Sequence, residues 1–147
     1  MLERFLTAQA QRELLSPPED VWAFLAEPHH LSDWWPGYTS VRPDRRGLAE
    51  GARWQVVRGG EIGLLRRPGG DGLVVLTAVE PEQRLAWQDV QQQFTAEIRL
   101  EPAADGRTRA RLTIEASTWR AVAEGLRPLP RKALGRLHAL CQTAATL

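Results

Sequence analysis

The chain has 147 residues, 43% of them hydrophobic and 25% charged, with six tryptophans and a single cysteine. That length fits one domain, residues 1–147, able to bury about 70% of the surface its unfolded chain would expose. Nineteen basic against 18 acidic residues leave a net charge of +1, which excludes a strong overall field drawing the protein to nucleic acid or to an anionic membrane.

One cysteine, Cys141, excludes an internal disulfide and any multi-cysteine metal site. No segment approaches the ~18 apolar residues of a membrane span. The first residues, Met-Leu-Glu-Arg-Phe, lack the basic start and apolar run of a secretory signal, so a cytoplasmic location is expected.

Residues 3–14 contain no Gly or Pro. Leu6, Ala8, Ala10 and Leu14 share one strand face against Thr7, Gln9, Gln11 and Glu13, although a helix also tolerates the pattern. Ser16, before Pro17 and three residues ahead of Glu19, has the form of an N-cap with a capping box. It predicts a short helix over 17–26 with Val21, Phe24 and Leu25 inward, ended by Pro28. His30 to Trp35 form a second short helix or turn, closed by Pro36-Gly37.

Strands follow. Tyr38 to Val41 is a short one. Ala52 to Arg58 places Trp54, Val56 and Arg58 on one face. Glu61 to Arg67, bracketed by Gly59-Gly60 and Pro68-Gly69-Gly70, is either a strand extension or an insertion. Leu73 to Val79 reads as a strand buried on both faces, and Glu80-Pro81-Glu82 turns it into Arg84 to Asp89. Phe94, Ala96, Ile98 and Leu100 alternate with Thr95, Glu97, Arg99 and Glu101. Asp105-Gly106 makes a hairpin turn, and the return strand turns Ala110, Leu112, Ile114 and Ala116 inward. This is an antiparallel meander with one dry and one wet face. A C-terminal segment from about Thr118 is interrupted by Gly125 and Pro128-Leu-Pro130. Beyond it Leu134, Leu137, Cys141 and Ala144 recur at helical spacing, with Arg131, Lys132 and Arg136 off the stripe, giving an amphipathic helix of about 16 residues.

The order of elements, together with Ser16-Pro-Pro-Glu-Asp-Val-Trp-Ala-Phe-Leu, Asp33-Trp34-Trp35-Pro36-Gly37, Gly51-Ala-Arg-Trp54 and Leu85-Ala-Trp87, resembles the polyketide cyclase/dehydrase branch of the START-like (SRPBCC) superfamily, which includes the birch pollen allergen type. The resemblance covers essentially the whole chain. It implies an α+β helix-grip fold: a curved antiparallel sheet of about seven strands around a long C-terminal helix, with two short helices after the first strand. It also implies a mostly apolar cavity between sheet and helix, leaving the contents open, because members include lipid carriers, hormone receptors and aromatase/cyclases.

With the concave face toward that cavity, its lining is expected to comprise Trp54, Trp87, Phe94, Ile98, Leu112 and Ile114 from the sheet, and Leu134, Leu137 and Cys141 from the helix. Adjacent residues on a helix diverge by about 100°, so one of Trp34 and Trp35 is expected to anchor the core and the other to stand at the mouth with Tyr38. In the aromatase/cyclases the chain resembles, a cavity arginine orients the substrate. Arg53, Arg58 and Arg66 are the strand-borne candidates here, and Arg58, Tyr38 and His138 are the weak catalytic candidates. His29 and His30 have no evident carboxylate partner and no third ligand for zinc, and the glycine pairs do not precede a helix as phosphate loops must.

The reading that results is a binder of a small hydrophobic molecule (lipid, isoprenoid or polyketide-like aromatic), acting as carrier or sensor. No cofactor, metal or nucleic-acid partner is expected, and the choice between monomer and homodimer is open. A polyketide cyclase or dehydratase is the alternative, followed by a protein-binding regulator.

Overall fold

The computed structural model describes residues 5–59, 71–119 and 125–145, with side chains to residue 142. The proposed segment 61–67, Arg66 and the side chain of Ala144 lie outside the described residues. Within them the order is β1 (Phe5–Leu14), α1 (Pro18–Leu25), one turn of 3-10 helix (Pro28–His30), α2 (Leu31–Trp34), β2 (Tyr38–Arg42), β3 (Arg53–Arg58), β4 (Asp71–Glu80), β5 (Arg84–Asp89), β6 (Phe94–Pro102), β7 (Thr108–Ser117) and the C-terminal helix α3 (Leu129–Ala145).

The strands form one antiparallel sheet in the order β1-β7-β6-β5-β4-β3-β2. Apart from its first member the order is a meander, in which each strand pairs with the next in sequence. The first strand pairs instead with the last, from Phe5 opposite Ser117 to Leu14 opposite Thr108. Consequently β1 and β2 occupy opposite edges of the sheet, and α1 and α2 carry the chain from one edge to the other.

Alternation decides which face is dry. On β6 and β7 Phe94, Ala96, Ile98 and Leu100 and Ala110, Leu112, Ile114 and Ala116 are all buried. Large residues face small ones across the ladder, Ile114 opposite Ala96 and Phe94 opposite Ala116. The Asp105-Gly106 turn joins the two strands with φ of 60° and 71°, the left-handed pair that a two-residue hairpin needs and that Asp-Gly supplies at little steric cost. α3 lays Ala133, Leu134, Leu137 and Cys141 into the same core, while Arg131, Lys132 and Arg136 stay exposed.

Two local expectations are corrected. Ser16 does not cap α1. Pro17 precedes Pro18, and a residue before proline is excluded from the helical region. Pro17 is therefore extended at φ −70° and ψ 161°, and the helix starts at Pro18 without a side-chain cap. The buried Ser16 ties distant segments together instead. Its hydroxyl donates to the Cys141 carbonyl at 3.4 Å, and its own carbonyl accepts from Thr108 Oγ1 at 2.7 Å. The second correction concerns β4, which is not buried on both faces. Val74, Leu76 and Ala78 are buried, whereas Leu73, Val75 and Val79 are half-buried, because the helices cover only the inner face.

Leu112 is fully buried on β7, between Ala10 of β1 and Ile98 of β6. Leu112→Ala is expected to lower unfolding free energy by about 2–5 kcal/mol, read from the midpoint of a denaturant titration with unchanged slope.

Candidate functional site

The paired tryptophans set up the site. α2 is a single turn that ends at Trp34, and Trp35 already leaves it with φ −91° and ψ 115°. The helical divergence of 100° therefore does not apply, and both rings turn inward, each 1% exposed. This corrects the expectation that one of them stands at a mouth. Their planes are perpendicular with centroids 5.7 Å apart. Trp87 of β5 sits edge-on to both, at 5.8 Å from Trp34 and 5.0 Å from Trp35. Trp35 also stacks on Tyr38 and on Phe94, at 6.0 and 5.9 Å. Five of the expected lining residues thus form one aromatic cluster at the end of the sheet where β2 and β6 begin and β5 finishes.

A polar group lies inside this cluster. Tyr38 is directly opposite Arg58 in the β2–β3 ladder. Its hydroxyl donates to Asp89 Oδ2 at 2.7 Å, and the other carboxylate oxygen accepts from the Gln92 backbone N–H at 2.9 Å. Asp89 is fully buried. Burial holds the Tyr38 hydroxyl well above the usual tyrosine range, reinforced by the Asp89 charge and hydrogen bond. The Trp87 indole N–H and the Arg58 charge act in the opposite sense.

Two donors beside this hydroxyl lack a well-placed acceptor. Arg58 Nε and Trp87 Nε1 are both buried, and neither has an acceptor in good hydrogen-bond geometry among the described residues. The Trp87 N–H is still near enough to the Tyr38 hydroxyl oxygen to act on it as a weak donor. A buried unpaired donor costs about 1–3 kcal/mol, and such groups are uncommon enough to need a cause. Trp54 shows the contrast: its indole Nε1 donates to the Gly47 carbonyl at 2.7 Å and pins the β2–β3 connection. Gly72, opposite Val56 on β4, helps to make room for Arg58. A Cβ there would stand 3.1 Å from Val56 Cγ2 and 3.5 Å from Arg58 Nε.

The other expected residues fall into place without joining this polar group. Trp54, Ile98, Leu112, Ile114, Leu134, Leu137 and Cys141 belong to the continuous core, each at most 4% exposed. Burial pushes the Cys141 thiol up to about 11, which leaves it an unreactive core group. His138 is half-buried on α3, its pKa lowered by burial and then by Arg12 of β1. It stands by the β1 edge, whereas Tyr38 and Arg58 are on the β2 side, so it does not complete their site. His30 is structural: Nδ1 lies 2.7 Å from the Phe24 carbonyl and the ring stacks on Phe24 at 4.1 Å. Arg53 is exposed. No group of three or more His, Cys, Asp or Glu among the described residues could hold a metal ion.

Sequence reasoning missed Asp89. The signal was present: Leu85, Trp87 and Asp89 alternate along β5, so an inward Trp87 requires an inward Asp89.

A seven-stranded antiparallel sheet gripping one C-terminal helix defines the helix-grip class. Within that class, the family described as polyketide cyclase/dehydrase and lipid transport matches residues 6–142, and the chain belongs to it. Among solved structures it is similar to protein NE0264 of Nitrosomonas europaea, with 24% identity, 97% of each chain covered and a TM-score of 0.75. Protein MLL2253 of Mesorhizobium loti shares 21% identity over 94% of this chain and 98% of that one, with a TM-score of 0.71. A point mutant of norcoclaurine synthase from Thalictrum flavum, solved with a transition-state analogue, shares 15% identity over 99% of both chains, also at 0.71. No curated protein matches the chain. At these identities the likeness establishes the fold.

Tyr38 is the only tyrosine of the chain, so its ionisation can be followed directly. Because the folded protein raises its pKa, the folded state holds this proton more tightly than the unfolded chain, whose tyrosine titrates near about pH 10. The resulting stability is fully present below that pH and is lost as pH rises through the folded value. Phenolate absorbance should therefore appear only with alkaline unfolding. Ionisation near the ordinary value in protein still folded by circular dichroism contradicts this environment.

Proposed function

We propose that this protein binds a small, largely apolar molecule between the sheet and α3, with an oxygen of that molecule accepting from Arg58 Nε and Trp87 Nε1. The supporting observation is a buried Arg58 Nε without an acceptor and a buried Trp87 Nε1 with no better partner than the nearby Tyr38 hydroxyl, in a wall of aromatic rings. Rings and aliphatic side chains supply the free energy by removing apolar surface from water, at about 25 cal/mol per Å². The two donors supply orientation, since a few fixed polar groups in an apolar site decide which way a ligand lies. A lipid, isoprenoid or polyketide-like aromatic with a carbonyl, enol or carboxylate at one end has this character. Carriage or sensing is the role, and Trp34, Trp35 and Tyr38 stand on the side that must part for entry.

A cyclase or dehydratase is the second reading, favoured by the same polar group. Arg58 could hold a carbonyl oxygen that gains negative charge as the substrate enolises. The proton chemistry weighs against it. Tyr38 is held neutral and already donates to Asp89, and the second Asp89 oxygen is taken by Gln92. A base poised near neutral pH is what such a reaction needs, so binding is the first reading.

The wild-type protein should bind a solvatochromic apolar dye with a blue shift, and Ile98→Trp or Leu137→Trp should abolish the shift while the protein stays folded. Failure of the wild type with every apolar probe refutes the binding reading. Arg58→Gln tests the orientation separately: it should weaken an aromatic carboxylate about tenfold or more, and leave the matching hydrocarbon unchanged.

A further inference from the structure

Charge is unevenly distributed along the chain. Residues 126–147 include Arg127, Arg131, Lys132 and Arg136 and no Asp or Glu, whereas the rest has three more acidic than basic residues. A net charge of +1 therefore conceals a basic segment. In α3 the cations Arg131, Lys132 and Arg136 are exposed on the side away from the core, together with the small Ala139. Arg12 of the edge strand β1 reaches toward the same helix, its Nη1 lying 4.0 Å from where a Cβ on Gly135 would stand. Arg12, Arg127 and Arg131 line a groove of about 640 Å³ between β1 and the start of α3, with Ala10 and Leu134 in its floor.

These five cations make no ion pair among the described residues, in contrast to Arg84, Arg99 and Arg107, which do. Two of them also sit where the fold gains nothing from them. Arg131 and Lys132 occupy the first turn of α3, which holds no acidic residue, although the exposed N–H groups of a helix start already carry partial positive charge. Two residues beyond the end of β7, Trp119 is a large aromatic residue with 69% exposure.

We propose that the solvent face of α3, with Arg12, docks this protein on an anionic lipid bilayer. Clustered Lys and Arg on an amphipathic helix are attracted to anionic headgroups, and an exposed aromatic side chain such as Trp119 settles at headgroup level. Along α3, Arg131 to Arg136 spans only about 8 Å at the helical rise. That is one compact patch rather than a track for a polyanion, and the acidic excess of the remaining chain repels a nucleic acid extending beyond it. The same imbalance fixes orientation, because only one side of the molecule is attracted.

The test is sedimentation of the full chain with vesicles of phosphatidylcholine alone and of phosphatidylcholine and phosphatidylglycerol in equal parts. Binding should appear with the anionic vesicles only and weaken as salt is raised. Arg131→Gln with Lys132→Gln should reduce it about 25-fold, at roughly fivefold per charge, without lowering the thermal midpoint. Arg42→Gln with Arg45→Gln, both exposed at the opposite, β2 edge of the sheet, should leave it unchanged. Equal binding to neutral vesicles, no binding to anionic ones, equal loss in the two double variants, or tighter binding to a DNA oligonucleotide than to the anionic vesicles would each overturn the proposal.

Discussion

The pairing of β1 with β7 is the constraint on which the rest of the structure depends. It joins residues about a hundred positions apart, from Phe5 with Ser117 to Leu14 with Thr108. It also leaves β1 at one edge of the sheet and β2 at the other. Residues 15–37 must therefore travel from edge to edge, and the direct route that buries their apolar side chains runs across the concave face. Helices as short as α1 and α2 have little stability alone. Held at both ends by strands, they are kept in place by packing, and they deliver Trp34 and Trp35 onto Trp87. Ser16 reinforces the same crossing, since its carbonyl is held by Thr108 of β7 and its hydroxyl reaches Cys141 of α3.

Features that depend on period were legible in the sequence. The alternation on β6 and β7, the Asp105-Gly106 turn and the stripe of Leu134, Leu137 and Cys141 each depend on local geometry that repeats. Features set by one backbone decision were not. Pro17 before Pro18 moves the start of α1 by one residue and frees Ser16 for a tertiary role. The end of α2 at Trp34 decides where Trp35 points. Within the candidate site, Tyr38 and Arg58 were legible as candidates along with His138, but their position opposite each other in the β2–β3 ladder was not. Asp89 was hidden by the habit of reading an acidic strand-end residue as solvent-facing, although its register with Trp87 already placed it inside. Summing charge over the whole chain hid the basic face of α3, since a total cannot report segregation.

Trp54 and Trp87 have the same side chain and nearly the same burial, at 1% and 0% exposure. Their polar ends differ. The Trp54 N–H closes on a loop carbonyl, so this indole is a finished structural anchor. The Trp87 N–H has no acceptor in good geometry and reaches only toward the Tyr38 hydroxyl, and Arg58 Nε is likewise buried without an acceptor. Replacing a poorly satisfied donor with an apolar group of the same shape would remove a desolvation cost from the fold, so stability alone gives no reason for these donors to be there.

The fold by itself says little about its use. What narrows the use is how the polar groups are already committed. Tyr38, Asp89 and the Gln92 N–H satisfy one another, which fixes a buried carboxylate in a wall that would otherwise reject it. With that set closed, the groups left open are donors and not bases. A site whose open groups are donors can hold and orient an oxygen, but it has no free partner to take a proton. Among the described residues, it is this balance of donors over free acceptors on which the proposed reading of binding rather than proton transfer rests.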